Sequence, residues 1–106
     1  MKRVTDERSL EAALRGKKAV VLFHATWCPF CTSFVPSFVK ATSAAPGYEV
    51  IEAVIDEDEN PLWDKLSIAI VPTVIFFEDG KPVRRLDGKA GVGLKASDLE
   101  RALAGR

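Results

Sequence analysis

Two cysteines, Cys28 and Cys31, are the only thiols in the 106-residue chain, and they stand three apart in Trp27-Cys28-Pro29-Phe30-Cys31. A thiolate is both a nucleophile and a metal ligand, so two chemistries are open to the pair. If the stretch opens a helix, both sulfurs lie on one turn, where they can close into a small disulfide ring and open again. Such a pair near a strand–helix–strand pattern reads as a redox site. A lone zinc site normally takes four ligands, whereas this chain has no second cysteine pair and one histidine, His24. No metal is expected, although a metal or Fe–S cluster shared between two subunits, or a non-enzymatic redox sensor, would use the same pair.

Compartment bears on that choice. Fifteen basic residues balance fifteen acidic ones, which leaves no electrostatic footprint for nucleic acid or a membrane surface. Apolar residues make up 47 % and charged residues 28 %, as in ordinary globular domains. The start, Met1 to Arg8, lacks the apolar core of a signal peptide, and no later run is long enough to span a bilayer. The expectation is a cytoplasmic protein, where a disulfide is more often transient and catalytic than structural.

The surrounding elements must position the pair. Thr5 or Asp6 can cap a first helix running to about Arg15, with Leu10, Ala13 and Leu14 as its apolar stripe and Gly16 past its end. Ala19 to Phe23 is a continuous apolar run that fits a strand buried on both faces, and it leads straight into Thr26-Trp27-Cys28. Pro29 suits the first position of a helix. Phe34, Val35, Phe38 and Val39 give that helix one apolar face, Pro36 is expected to kink it, and it ends before Pro46-Gly47. Tyr48 to Asp56 reads as a second buried strand, followed by a solvated acidic turn, Asp56 to Glu59. Asn60-Pro61 opens a short helix carrying Leu62, Trp63 and Leu66. Thr73 to Phe77 forms a third strand, Glu78 to Lys81 a hairpin turn, and Val83 to Leu86 a fourth strand near a sheet edge because of Pro82. Ser97-x-x-Glu100 is a capping box for a last helix with Leu99, Ala102 and Leu103 inward. The order is α-β-α-β-α-β-β-α across one domain, residues 1–106: an α/β fold with a central mixed sheet of about four strands and helices on both faces.

That order, with Trp-Cys-x-x-Cys at the end of the first core strand, resembles the thioredoxin superfamily over almost the whole chain. Pro36, five residues after Cys31, corresponds to the proline inside the family's active-site helix. Val71-Pro72-Thr73 resembles its cis-proline loop, and Asp79-Gly80 its late hairpin turn. An X-Pro bond is cis in only about 5–6 % of folded cases, so the cis assignment at Pro72 comes from the resemblance alone.

A helix N-terminus favours an anion, so the thiol of Cys28 is expected to fall from about 8.5 into the range of roughly 3.5–7.5. Cys28 is then the nucleophile, forming a mixed disulfide with substrate, and Cys31, more buried, resolves it; redox poise sets the direction. The resemblance implies no cofactor beyond the Cys28–Cys31 disulfide. It implies protein disulfides as substrates, a thioredoxin-reductase-like electron donor, and a monomer. Trp27, Pro29, Phe30, Val71 and Pro72 would line the substrate site, with Val71 offering its backbone to an extended peptide.

Two departures stand out. Thioredoxins usually carry Gly-Pro between the cysteines; Pro29-Phe30 is closer to glutaredoxin usage, which keeps a glutathione-dependent activity as the alternative. Thioredoxins also commonly bury an Asp six residues before the first cysteine, and that position here is Leu22. Glu52 on the next strand, sharing a face with Leu22 and His24, is the candidate replacement. With no Lys nearby in sequence to oppose it, burial is expected to raise its carboxyl toward neutrality, where it would accept the proton of Cys31.

Overall fold

The computed structural model describes residues 1–105. Five strands and four helices alternate: β1 (Lys2–Val4), α1 (Glu7–Leu14), β2 (Lys18–His24), α2 (Pro29–Ser43), β3 (Glu49–Val54), α3 (Leu62–Lys65), β4 (Thr73–Glu78), β5 (Lys81–Leu86) and α4 (Ala96–Gly105). The strands form one mixed sheet in the order β1-β3-β2-β4-β5, parallel from β1 through β3 to β2 and antiparallel from β2 through β4 to β5. Among the described residues no helix is long and apolar enough to cross a membrane.

The sheet has one more strand than the sequence pattern suggests. Lys2-Arg3-Val4 is three residues long and buries only Val4, too short for strand alternation to register. It nevertheless docks in parallel on β3, with Arg3 opposite Glu52. That pairing reshapes the site described below.

β2 sits at the centre because its sequence suits both faces: every residue from Ala19 to His24 is buried. Alternate side chains feed two cores. Ala19, Val21 and Phe23 pack with Leu10, Ala13 and Leu14 of α1 and with Leu62 of α3. Val20 and Leu22 pack on the other side with Phe34 and Phe38 of α2 and Leu99 and Leu103 of α4. Because side chains alternate along a strand, one fully apolar strand serves two layers of helices.

Most helix starts follow their local chemistry. Asp6 caps α1, its carboxylate accepting from the Ser9 amide at 2.8 Å. The Asn60 carboxamide accepts from the Leu62 amide at 3.0 Å at the head of α3. α4 starts at Ala96, so Ser97 lies in its first turn and not at the cap expected of it. Of the apolar residues assigned to α2, Phe34 and Phe38 are buried but Val39 is exposed. Phe34, Phe38 and Ala41 recur at four and three, and Val39 falls one residue off that stripe. Pro36 lies within α2, which continues past it to Ser43. At the hairpin, Asp79 and Gly80 both take positive φ, 51° and 83°, the backbone that a two-residue turn between twisted strands requires. β5 is the expected edge strand, with Pro82 opposite Phe77 at a bulge.

Candidate active site

Cys28 lies between the end of β2 and the first turn of α2, as the N-cap of that helix. Its amide donates to Ala25 O at 3.3 Å, and its carbonyl accepts from the Thr32 amide at 3.1 Å. Its sulfur accepts from the Cys31 amide at 3.3 Å, one of the N–H groups that a helix start leaves without an internal partner. Negative charge formed on this sulfur therefore meets a donor. The same sulfur faces the carbonyl of Val71, 3.7 Å away, and the Val71–Pro72 peptide bond is cis.

Cys31 stands one turn further on. Both cysteines are free thiols, but Cys28 retains 7 % of its surface and Cys31 none. Burial, followed by its contact with the Cys28 thiol, pushes the Cys31 thiol up to about 12. The two sulfurs are chemically distinct although they share one helical turn.

Apolar side chains rim the two sulfurs. Trp27 and Phe30 are 57 % and 44 % exposed, Pro29 is exposed, and Val71 and Pro72 are buried beneath them. The Trp27 indole N–H donates to the Asp56 carbonyl at 2.9 Å, which holds the ring as an exposed lip. A cleft of about 580 Å³ lined by Lys40, Tyr48 and Leu103 lies at the far end of α2. Among the described residues no group of three or more His, Cys, Asp or Glu side chains gathers as metal donors.

Two glycines that the sequence pattern does not single out close the rim. A Cβ on Gly88 would lie 2.3 Å from the Pro72 carbonyl oxygen, and one on Gly93 would lie 3.1 Å from the Cβ of Phe30. The segment after β5 is thus seated at one end on Pro72 and at the other on Phe30. Only the folded chain brings those pairs together.

Beneath α2 the register places Leu22 opposite Glu52, with Leu22 packed against Phe34 and Phe38. The expected shared face for Leu22, His24 and Glu52 is present, and His24 Nε2 lies 2.9 Å from Glu52 Oε1. The expectation of an unopposed, raised carboxyl at Glu52 is overturned. Arg3 on β1 places its Nε 3.1 Å from Glu52 Oε2. Burial pushes the Glu52 carboxyl up, but the hydrogen bonds and charges of His24 and Arg3 outweigh it and hold the group below its ordinary value. An ionised carboxylate only accepts hydrogen bonds, so His24 presents Nε2–H to it.

Asp56 was expected in a solvated turn and instead belongs to the site. Its two carboxylate oxygens accept from the Thr26 amide and the Thr26 hydroxyl, each at 2.7 Å. Those bonds keep its carboxyl below the ordinary range. Its position at the end of an apolar strand run, level with the loop before Cys28, was the available signal.

These observations define a class first: a mixed sheet clasped by helices on both faces, with a Cys-x-x-Cys dithiol at the head of the helix after the central strand and a cis-proline across from it, the thioredoxin-like arrangement. The thioredoxin family model matches residues 2–102. Thioredoxin of Mycolicibacterium smegmatis is 34 % identical over 104 residues, covering 94 % of this chain and 92 % of that one. The bifunctional thioredoxin reductase/thioredoxin of Mycobacterium leprae is 32 % identical over 98 residues, covering 91 % of this chain and 21 % of that longer one. The X-ray structure of Fasciola hepatica thioredoxin superposes with a TM-score of 0.80 at 27 % identity, covering 99 % and 98 % of the two chains. The chain belongs to the thioredoxin family, and it is a thiol–disulfide oxidoreductase of thioredoxin type.

Proposed function

We propose that this protein, working as a single domain and a monomer in the cytoplasm, reduces disulfides of other proteins with Cys28 as the attacking thiolate and Cys31 as the resolving thiol. The observation that carries this division is the contrast between the two sulfurs. Cys28 keeps some exposure and accepts the Cys31 amide, while Cys31 is fully buried and its thiol is pushed up to about 12. In the first step Cys28 Sγ attacks one sulfur of the substrate disulfide; that S–S bond breaks, and the other substrate sulfur leaves as a thiolate. In the second, Cys31 loses its proton, bonds to Cys28 Sγ and releases the second substrate thiolate, leaving the Cys28–Cys31 disulfide.

Trp27, Pro29 and Phe30 supply an apolar rim for the polypeptide around the substrate cysteine, and the Val71-Pro72 segment lies across from it. The electron donor that restores the dithiol would be a thioredoxin-reductase-like protein; the joined reductase and thioredoxin named for the Mycobacterium leprae relative supports that pairing. Apart from the redox-active pair no cofactor enters these steps. Glu52, held ionised by Arg3 and His24, is better suited to anchoring β1 and β2 beneath α2 than to collecting the Cys31 proton.

The decisive experiment uses Cys31→Ser, which stalls the mixed disulfide at Cys28. Protein substrates captured on Cys28 support this assignment. Capture of glutathione alone would instead support the glutathione-dependent alternative.

A further inference from the structure

The loop that faces Cys28 across the site, residues 66–72, is held at its start by one side chain from outside it. α3 closes with the Ser67 amide donating to the Asp64 carbonyl at 3.2 Å and the Ile68 amide to the Trp63 carbonyl at 2.8 Å, a helix-ending turn whose pivot residue takes the left-handed backbone. That pivot is Ser67, with φ +53°, where glycine is the usual choice because a Cβ crowds this conformation. The turn has outside support. Arg85 on β5 donates from Nη1 to the Leu66 carbonyl at 2.7 Å and from Nη2 to the Ser67 carbonyl at 3.2 Å. Its Nε and Nη2 also donate to Asp87 Oδ1, at 3.1 and 2.8 Å. Arg85 lies opposite Ile75 in the β4–β5 ladder, so the clamp is built on the sheet.

The far end of the same loop is tied to the residues that follow Arg85. Gly88 leaves no room for a Cβ against the Pro72 carbonyl oxygen. Its amide donates to the Thr73 hydroxyl at 3.4 Å, which in turn donates to the Ile70 carbonyl at 2.7 Å. Residues 85–88 therefore grip the loop at both ends. Between the grips stands Val71, its carbonyl 3.7 Å from the Cys28 sulfur. A planar guanidinium can hold two carbonyls and a carboxylate at once because its donors are fixed in a fork, whereas an ammonium is a single point of charge. We propose that Arg85 is a positioning residue for the substrate: by clamping the Leu66 and Ser67 carbonyls to β5, it sets where the Val71 backbone meets a polypeptide beside Cys28. This rests on the reading above, in which the Val71-Pro72 segment lies across from the bound polypeptide.

Two substrates separate positioning from general stability. Reduced protein is mixed, in single turnovers, with a short synthetic peptide closed by one disulfide or with dithiobis-nitrobenzoate, which has no peptide backbone for Val71 to meet. With either, Cys28 Sγ attacks and the substrate S–S bond breaks. Cys31 then bonds to Cys28 and displaces the remaining substrate sulfur; its proton passes to solvent, and an electron pair has moved from the dithiol to the substrate. Arg85→Met keeps a long apolar stem and loses every donor, while Arg85→Lys keeps the charge and loses the fork. Each is expected to slow the peptide reaction about tenfold more than the dithiobis-nitrobenzoate reaction, within the loss of up to about 100-fold that a displacement of about 1 Å produces. Gly91→Ala, with no atom within 4 Å of the added Cβ, controls for lost stability and should keep the wild-type ratio of the two rates. Equal slowing of both reactions in Arg85→Met, no slowing of either, or a wild-type ratio in Arg85→Lys would overturn the proposal. Failure of Cys31→Ser, with Arg85 intact, to capture the peptide on Cys28 would instead overturn the reading beneath it, so the two failures are separable.

Discussion

Gly88→Ala tests whether the segment after β5 sets the position of Pro72. The Cβ it introduces would sit 2.3 Å from the Pro72 carbonyl oxygen, 3.4 Å from the Pro72 carbonyl carbon and 3.3 Å from Cγ2 of Ile70. Reaching even 3.0 Å from that oxygen, the limit below which real Cβ atoms are essentially never found, requires a movement of about 0.7 Å. The partner is backbone and cannot swing aside. It is also tethered: the Thr73 hydroxyl donates to Ile70 O at 2.7 Å and accepts from the Gly88 amide at 3.4 Å. Either the 70–73 segment moves toward the cysteines or the 87–88 segment lifts off. Overpacking of this kind costs about 1–3 kcal/mol, and a domain of about 100 residues loses about 4–8 °C of Tm per kcal/mol. Misplacement of a substrate-positioning group by about 1 Å can lower turnover by up to about 100-fold. The assay is kcat/KM for reduction of a protein disulfide, read beside Tm. Gly91→Ala is the control: Gly91 has φ +75° and no atom within 4 Å of an added Cβ. Its alanine pays only left-handed backbone strain of about 1–2 kcal/mol. Gly91→Ala should therefore lower Tm while keeping kcat/KM, and Gly88→Ala should lower both. Wild-type kcat/KM in Gly88→Ala would refute the view that this glycine positions the Pro72 segment.

Two further outcomes follow from named contacts. Glu52→Gln is expected to destabilise the protein at pH 7 by about 1.5 kcal/mol, the low end for a charged hydrogen bond because Arg3 is largely exposed. The folded carboxyl lies below its ordinary value of 4.5, so its contribution is present above that pH and fades as pH falls through the depressed folded value. Denaturant unfolding of wild type and variant should accordingly converge in acid; a gap that stays constant from pH 7 to pH 3 would remove the ionised carboxylate from the account. Gly93→Ala presses on Phe30 from 3.1 Å and also carries a φ of +80°. In a double-mutant cycle with Phe30→Ala the two changes should couple by about 0.5 kcal/mol or more, whereas simple additivity would mean that the ring is not held there.

Local chemistry made much of this protein legible before folding is considered. A run of apolar residues from Ala19 to Phe23 needs burial on two sides, and the structure buries all of them. Pro29 after a cysteine reads as a helix start, and Cys28 does cap α2. Pro82 reads as an edge strand, and β5 lies at the edge. Each of these signals is carried by residues close together in sequence. β1 carries none, because three residues with one buried side chain hold no measurable period. Without β1 the pairing of Arg3 with Glu52 is not legible, and Glu52 reads as an unopposed buried acid.

Sequence alone, then, established where the thiols are, which one heads a helix and which strand delivers them, since spacing, proline chemistry and apolar runs are local properties. Tertiary structure decided which charges those thiols feel. Arg3 reaches Glu52 across 49 residues and Thr26 reaches Asp56 across 30, and both meetings depend on strand register, which no short stretch encodes. The acid expected to stand unopposed under the pair is held ionised by Arg3 of the neighbouring strand and by His24, while the acid read as part of a solvated turn is hydrogen-bonded to the loop before Cys28. A carboxylate acts through its distance and its partners, and only the sheet sets those.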